Sequence, residues 1–293
     1  MSYLILNDFK KIIQSDNLNQ IIGSDYFILD QLKLAAQSEA ISYLVQKYDV
    51  SKEFTNSLPY SVTTSYKANQ RVYLDAPAYS PLTVYTVNSL TLYLSNAYIC
   101  TAITTGVFAP ASWSLIGIQY TFFYVTLPFA EFNFYKYYLK GDKVYWNNST
   151  YTALQPSVVP IHETLLQGGT YYNAPPINIF PDDINSGIQY WGTPTAYTVA
   201  AGVLPTDITK WTLGDNRNQQ LVNYCIDIVL YHIHSRIAPR NIPELRVHRY
   251  QDAIKWLEGA AEGKYITAAI PILQPKSGGR IRWGGAVKQN NYY

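Results

Sequence analysis

Charged side chains are scarce in this sequence. Asp, Glu, Lys and Arg together account for 14% of its 293 residues, whereas an ordinary soluble chain contains about 25%. Tyrosine is abundant in their place, with 28 copies. Because Tyr joins a large apolar ring to a polar hydroxyl, the composition suits broad contact surfaces between proteins, and it equally suits β-strands built from aromatic residues.

Cysteine is almost missing as well. Cys100 and Cys225 lie far apart in the sequence, so we expect neither a disulfide framework nor a metal site, and a reducing compartment is the simpler assumption. The N-terminus lacks the basic start and apolar core of a signal peptide, and no segment comes near the roughly 18 apolar residues of a membrane span. We therefore expect no membrane association.

Catalytic motifs are also lacking. The sequence contains no Gly-x-Ser-x-Gly, no phosphate loop and no Rossmann glycine fingerprint. His232 and His234 would diverge by about 200° on the predicted helix, which argues against a shared metal. Asp182, Asp183 and Glu163 could serve a glycan-cleaving enzyme only with a facing carboxylate in a cleft. We expect no enzymatic activity and no cofactor.

The small net charge of +2 is unevenly distributed along the chain. Residues 216–293 contain eleven Lys or Arg and five Asp or Glu, whereas acids outnumber bases before them. The predicted tail, residues 275–293, is basic and rich in glycine, so we expect it to order on a partner such as DNA or an acidic protein surface. Its candidate contact residues are Lys276, Arg280, Arg282, Trp283 and Lys288.

Both ends of the sequence show helical periodicity. Apolar residues recur three and four positions apart after Asp30, and again after Leu221 and Leu245. Pro243 can open the last helix and Gly263 can end it. We predict one helical domain made of residues 1–55 and 216–274, with a helical hairpin in its second half.

Residues 56–215 have a different composition and interrupt this helical domain. Short alternating runs of Tyr, Thr and Val predict β-strands, so the expected fold class is α+β with a β-rich insertion of two small units. Two weak repeats, 66–117 and 138–214, each end in a Trp, at Trp113 and Trp211. They resemble the small chitin-binding-type carbohydrate module, although the second carries an added stretch, about 156–204, that the module lacks.

Adjacent aromatic residues in the insertion mark a candidate contact surface. Neighbouring side chains of a strand point to opposite faces, so one member of each pair should be exposed or meet another subunit. Exposed rings can stack on sugars or anchor a protein interface. The candidates for glycan or partner contact are Tyr145, Trp146, Tyr172, Tyr190 and Trp191.

The predicted C-terminal hairpin resembles the Mu-like phage head–tail connector (adaptor) family. The matching residues are His232, Arg236, Ile237, Ala238 and Pro239, then Pro243, Glu244, Leu245, Arg246, Arg249, Tyr250, Ala253, Ile254, Trp256, Leu257, Gly263 and Lys264. The Gly- and Arg-rich end after residue 277 is also similar, and residues 1–55 resemble the family more weakly. The middle of the chain is not covered.

This resemblance implies a structural virion protein at the head–tail junction, made in the host cytoplasm. It implies a ring of about twelve copies around the DNA channel, with the portal protein, tail or stopper proteins and channel DNA as partners. Salt bridges between neighbouring copies would involve Arg236, Arg240, Arg246 and Arg249, although a solvated helix face explains them too. The insertion would hold another tail component or bind glycan. A carbohydrate-binding protein that uses exposed Trp and Tyr is the alternative function.

Overall fold

A computed structural model describes residues 2–157, 180–182, 190–265 and 270–273. The chain divides into two compact units. The first unit comprises residues 1–129 and 196–273, and the second comprises residues 130–195 and 274–293.

Helices from both ends of the chain pack together in the first unit, so the predicted α+β class is confirmed. The long second helix contacts both C-terminal helices, which also contact each other. The shared core includes Leu29, Ala36, Ile226, Ile228 and Leu257. A 3₁₀-helix at Leu6–Lys11 precedes α1 (Ser15–Ile22), α2 (Tyr26–Leu44), α3 (Val50–Glu53), α4 (Gln219–Ile237) and α5 (Glu244–Glu262).

Local capping fixes where these helices begin and end. The Asp25 carboxylate accepts a hydrogen bond from the Ile28 backbone N–H, so α2 begins earlier than the apolar periodicity after Asp30 predicted. Asn218 caps α4 in the same way by accepting from the Leu221 N–H. The predicted stop at Gly263 is confirmed, because this residue adopts the left-handed conformation with φ of 81°.

The strands between α3 and α4 are short and form several small sheets. They are β1 (Ser57–Pro59), β2 (Tyr66–Lys67), β3 (Arg71–Tyr73), β4 (Leu90–Tyr93), β5 (Asn96–Cys100), β6 (Trp113–Ile118), β7 (Phe122–Val125), β8 (Lys143–Trp146), β9 (Ser149–Thr152), β10 (Thr195–Ala196), β11 (Thr198–Val199) and β12 (Trp211–Leu213). The sheet orders are β1-β3-β7-β12, β4-β5-β6, β10-β9-β8 and β11-β2.

The described strands are grouped around three copies of one aromatic cluster. The sequence had predicted two small β units. In each copy two stacked rings meet a Trp edge to face. Module A combines Tyr60, Tyr66 and Trp211; module B combines Tyr79, Tyr85 and Trp113; and module C combines Phe132, Tyr138 and Trp191. Such ring pairs add stability beyond the apolar area that they bury.

The same hydrogen bond recurs in all three modules. The residue after the first ring donates its backbone N–H to the Tyr hydroxyl five positions later. The donor–acceptor distances are 2.7 Å for Ser61 to Tyr66, 2.8 Å for Ser80 to Tyr85 and 2.7 Å for Asn133 to Tyr138. A residue with positive φ follows in each copy, at Asn69, Asn88 and Gly141, which are residue types that tolerate this conformation.

The three modules are nested in the sequence. In module A, β3 pairs with β7, and β7 pairs with β12. Module B, residues 79–118, lies in the sequence between β3 and β7, and module C, residues 132–191, lies between β7 and β12. The structure therefore groups Trp113 with Tyr79 and Tyr85 rather than with the Tyr66 segment, and Trp211 with Tyr60 and Tyr66 rather than with the Tyr138 segment.

A buried polar junction lies where the β region leaves and rejoins the helices. The Arg217 guanidinium donates to both Asp8 carboxylate oxygens at 2.7 and 2.9 Å, and to Asp215 at 2.7 Å. Burial opposes the charge of Arg217, yet these hydrogen bonds hold its pKa above the ordinary value. Glu53 accepts from the Tyr3 hydroxyl at 2.6 Å and from the Asn218 N–H at 2.8 Å. The junction thus ties the start of the chain to both ends of the insertion.

Candidate interaction surfaces

Two of the four predicted interface arginines converge on one acid within the chain. Asp227 of α4 lies 3.5 Å from Arg249 and 3.9 Å from Arg246, both on α5. Asp227 Oδ1 and Arg246 Nη1 are buried, and neither makes a hydrogen bond to any residue that the structure describes. Burial raises the pKa of Asp227 and lowers that of Arg246. The cluster is thus a loosely satisfied ion group that joins α4 to α5.

The other two predicted arginines lie near the turn of the hairpin. Arg236 occupies the last turn of α4, and Arg240 lies between the two helices; both are exposed. A cation in the last turn of a helix also suits the helix dipole. Arg236 and Arg240 are therefore exposed, and their predicted role in a subunit interface stays a prediction.

An open groove runs along α4 and α5 beside the ion group. Its volume is about 840 Å³. The Tyr224 and Trp256 rings contact each other there, with centroids 5.1 Å apart. The lining residues are Gln220, Tyr224, Asp227, Arg249, Asp252, Lys255, Trp256, Lys264 and Tyr265. The lining thus combines aromatic, basic and acidic side chains.

The side chains of His232 and His234 point in different directions on α4, as predicted, and have different neighbours. His232 Nε2 lies 2.9 Å from a Glu39 oxygen, and the other Glu39 oxygen accepts from the Tyr250 hydroxyl at 2.7 Å. These contacts join α2, α4 and α5. Burial lowers the pKa of His234, and the positive charge of Arg246 lowers it further.

The outward face of α2 is a further candidate surface that the sequence reasoning missed. Phe27 is 72% exposed, Leu34 39% and Val45, just after the helix, 47%. The signal was visible in the sequence, because this helix has three charged residues among nineteen. A helix with few charged residues and exposed apolar side chains often packs on more than one side.

The comparison with known proteins concerns the α4–α5 hairpin. Residues 215–271 match the family model described as Bacteriophage Mu, Gp36. The predicted resemblance to a Mu-like phage family is confirmed for this Gp36-like segment. No curated protein and no solved structure matches the chain.

The Gp36-like segment contains the ion group, the groove and all four predicted arginines. It packs on α2 from the N-terminal part of the chain. The modules of the β region lie outside the match, so their likeness to carbohydrate modules stays a prediction.

The predicted aromatic contact residues of module C fall into two groups. Tyr145 and Trp191 are both buried, Trp191 in the core of the module, so neither ring is accessible to a ligand. Trp146 and Tyr190 pack against this core and remain partly exposed. Trp146 Nε1 donates to Asp182 at 2.9 Å, and Asn147 also contacts this carboxylate. Asp182 therefore accepts hydrogen bonds from the start of the turn between β8 and β9.

The remaining predicted residues lie outside the described ranges. These are Tyr172 of the aromatic set, Glu163 and Asp183 of the acidic set, and the whole predicted tail with Lys276, Arg280, Arg282, Trp283 and Lys288. Within the described ranges, no group of three His, Cys, Asp or Glu residues is arranged to hold a metal ion. In the same part of the chain, no helix combines the length and apolarity needed to cross a membrane.

Proposed function

We propose that the chain is a structural virion protein of a tailed phage, and that it forms a ring between the portal and the tail as a head–tail connector. The match of residues 215–271 to the Mu Gp36 family carries this proposal, since it links the hairpin to a phage protein. The ring would surround the DNA channel and contact DNA without sequence specificity.

The helical bundle gives this proposal a physical basis. Segments from both ends of the chain share one apolar core, and the polar junction around Arg217 attaches the β region to it. A connector catalyses no reaction, so its function depends on contact surfaces that are repeated by symmetry around the ring. The exposed α2 face, the groove and the exposed arginines of the hairpin turn supply such surfaces.

The basic tail and the β modules would supply the other contacts. Residues 275–293 would become ordered in the portal, because the contacts made on binding would offset the conformational entropy that a basic, glycine-rich segment loses. The modules would hold a tail or stopper protein, to which their abundant Tyr residues are suited.

Purified phage particles provide the test. In particles from the host that carries the gene, mass spectrometry should detect the chain in a constant ratio to the portal protein. Deleting the gene should yield filled heads and separate tails, and supplying the chain in trans should restore joined particles. Particles that lack the chain, or intact virions after the deletion, would refute a connector role.

A carbohydrate-binding function of module C is the second candidate. Tyr135 and Tyr137 are 58% and 46% exposed and lie on the loop between the two stacked rings. Two exposed rings with polar hydroxyls can stack on sugars. Retention on insoluble polysaccharide that is lost in a Tyr135→Ala, Tyr137→Ala variant would support this function, and equal elution of both proteins would exclude it.

A further inference from the structure

The turn of the α4–α5 hairpin carries two arginines that the fold does not use. Arg236 lies in the last turn of α4, Arg240 lies in the loop before α5, and both are exposed. Neither guanidinium makes an ion pair or a hydrogen bond with any residue that the structure describes. Arg246 and Arg249, the other arginines of the hairpin, instead share Asp227. The turn therefore exposes positive charge without a counterion in the described part of the chain.

Acidic residues are scarce around this turn. Residues 228–251 contain four Arg and three His, and Glu244 is the one acid among them. Glu244 lies 3.4 Å from His248 of the same helix. Two acids from outside this range face the hairpin, but Asp227 is engaged by two arginines and Glu39 of α2 by a histidine and a tyrosine. A partner of the turn should therefore supply negative charge.

The turn is stiff, and its exposed arginines offer only donors. Pro239 and Pro243 fix two of its backbone φ angles, and the Asn241 N–H donates to the Ala238 carbonyl at 2.9 Å. A preorganised turn loses less conformational entropy when it binds. Guanidinium groups donate hydrogen bonds and accept none, whereas the oxygens of a phosphodiester accept them. The chemistry of the turn thus suits a phosphate backbone.

Duplex DNA fits this surface better than an acidic protein does. Phosphates follow one another along the whole duplex, so every copy in the proposed ring can reach one in any rotational register. An acidic protein would need carboxylates at matching positions for each copy. It would also cover Ile237 and Leu245, which flank the arginines and are 55% and 61% exposed, whereas contacts to phosphate leave such side chains uncovered. The two apolar residues therefore distinguish the partners in an experiment.

We propose that the hairpin turn is a DNA-contact surface, on which Arg236 and Arg240 bind phosphates of duplex DNA without reading its sequence. The inference rests on the proposed ring, because one copy offers two contacts and repetition by symmetry multiplies them. It assigns the DNA contact to one element of the fold. It also differs from the salt bridges between neighbouring copies that the family resemblance implies for these two residues.

Charge-matched variants of the full chain test this assignment. The turn variant carries Arg236→Gln and Arg240→Gln. The control carries Lys67→Gln and Lys255→Gln, which remove the same charge at exposed positions of β2 and the middle of α5. The basic tail, residues 275–293, is identical in both proteins, so the difference between them reports on the turn. Circular dichroism establishes that each variant retains the helical content of the unmodified chain.

Fluorescence anisotropy with a labelled duplex over a salt series gives the readout. At low salt the turn variant should bind at least about tenfold more weakly than the unmodified chain. The slope of log affinity against log salt should fall by about two for each bound copy, one for each lost phosphate contact. The control should keep both the affinity and the slope.

Two further variants separate DNA from an acidic protein. Arg236→Lys with Arg240→Lys should retain most of the DNA affinity, because a phosphate also accepts from an ammonium group. Ile237→Ser with Leu245→Ser should leave DNA binding unchanged. If this apolar variant and the turn variant both keep their DNA affinity but lose binding to the portal protein, the turn contacts an acidic protein surface and the DNA contact is refuted.

The remaining outcomes are equally decisive. The inference is refuted if the turn variant binds DNA like the unmodified chain, if the control loses as much affinity as the turn variant, or if the unmodified chain binds no duplex at low salt. None of these results bears on the connector function. That function fails separately, if the unmodified chain is absent from phage particles.

Discussion

Replacing Asp8 with Asn should strongly destabilise the helical bundle. Asp8 is 2% exposed, and its two oxygens accept from Arg217 at 2.7 and 2.9 Å, while one also accepts from the Ile5 N–H at 2.8 Å. Removing one partner of a buried ion pair costs about 3–5 kcal/mol, because the other charge stays buried. Asp215 still binds Arg217 in the variant, so we expect a loss near the lower end, about 3 kcal/mol.

Urea unfolding followed by circular dichroism measures this loss. The signal reports mainly on α1 to α5, which lie in the first unit, so the comparison does not depend on the second unit unfolding at the same time. Asp16→Asn is the matched control, because Asp16 is an exposed acid on α1, and we expect it to change the unfolding free energy by less than about 0.5 kcal/mol. If Asp8→Asn costs no more than Asp16→Asn, the buried junction does not stabilise the fold.

Three further predictions follow from the junction and the modules. Burial alone would raise the pKa of Asp215, but hydrogen bonds from Arg217 lower it below its ordinary value. The charged Asp215 therefore stabilises the fold above the ordinary Asp pKa of about 4, and this stabilisation is lost as the pH falls below that value. The unfolding midpoints of the unmodified chain and of Asp215→Asn should converge on acidification, and a constant gap between them would contradict this. Tyr85→Phe leaves the Ser80 N–H without its acceptor and should lower the free energy of unfolding by about 1–3 kcal/mol. Chemical unfolding followed by Trp fluorescence measures this loss. A loss no larger than that of an exposed Tyr135→Phe control would contradict a structural role of the hydroxyl. Replacing residues 130–195 with a short Gly/Ser linker should preserve the helical signal and its cooperative unfolding; loss of both would show that the first unit depends on the second.

The helical part of the fold could be predicted because its signals are local. Apolar periodicity, Pro243 and Gly263 fixed the α4–α5 hairpin within a few residues. The start of α2 was placed too late, since Asp25 and Asp30 are equally good capping residues and only the Ile28 hydrogen bond distinguishes them. The 3₁₀-helix and α1 are short, and short helices depend on packing more than on local preference.

The nested modules could not be read from the sequence because their partners are not local. Module A recruits Phe123 across module B, and Trp211 across modules B and C. A repeat search in chain order therefore pairs the strands with the wrong closing Trp. The same limitation affected the site. Adjacent aromatics predicted that one of Tyr145 and Trp146 would be exposed, but only packing decided that Tyr145 is the buried one.

The most direct test of the connector function is the mass of the complex formed with the portal protein encoded in the same genome. Native mass spectrometry or sedimentation would compare the full chain with a version that lacks residues 275–293. We expect a ring of copies on the portal for the full chain and loss of that complex without the tail. A full chain that stays monomeric and leaves the portal unbound would contradict the connector function, and carbohydrate binding by module C would become the leading hypothesis.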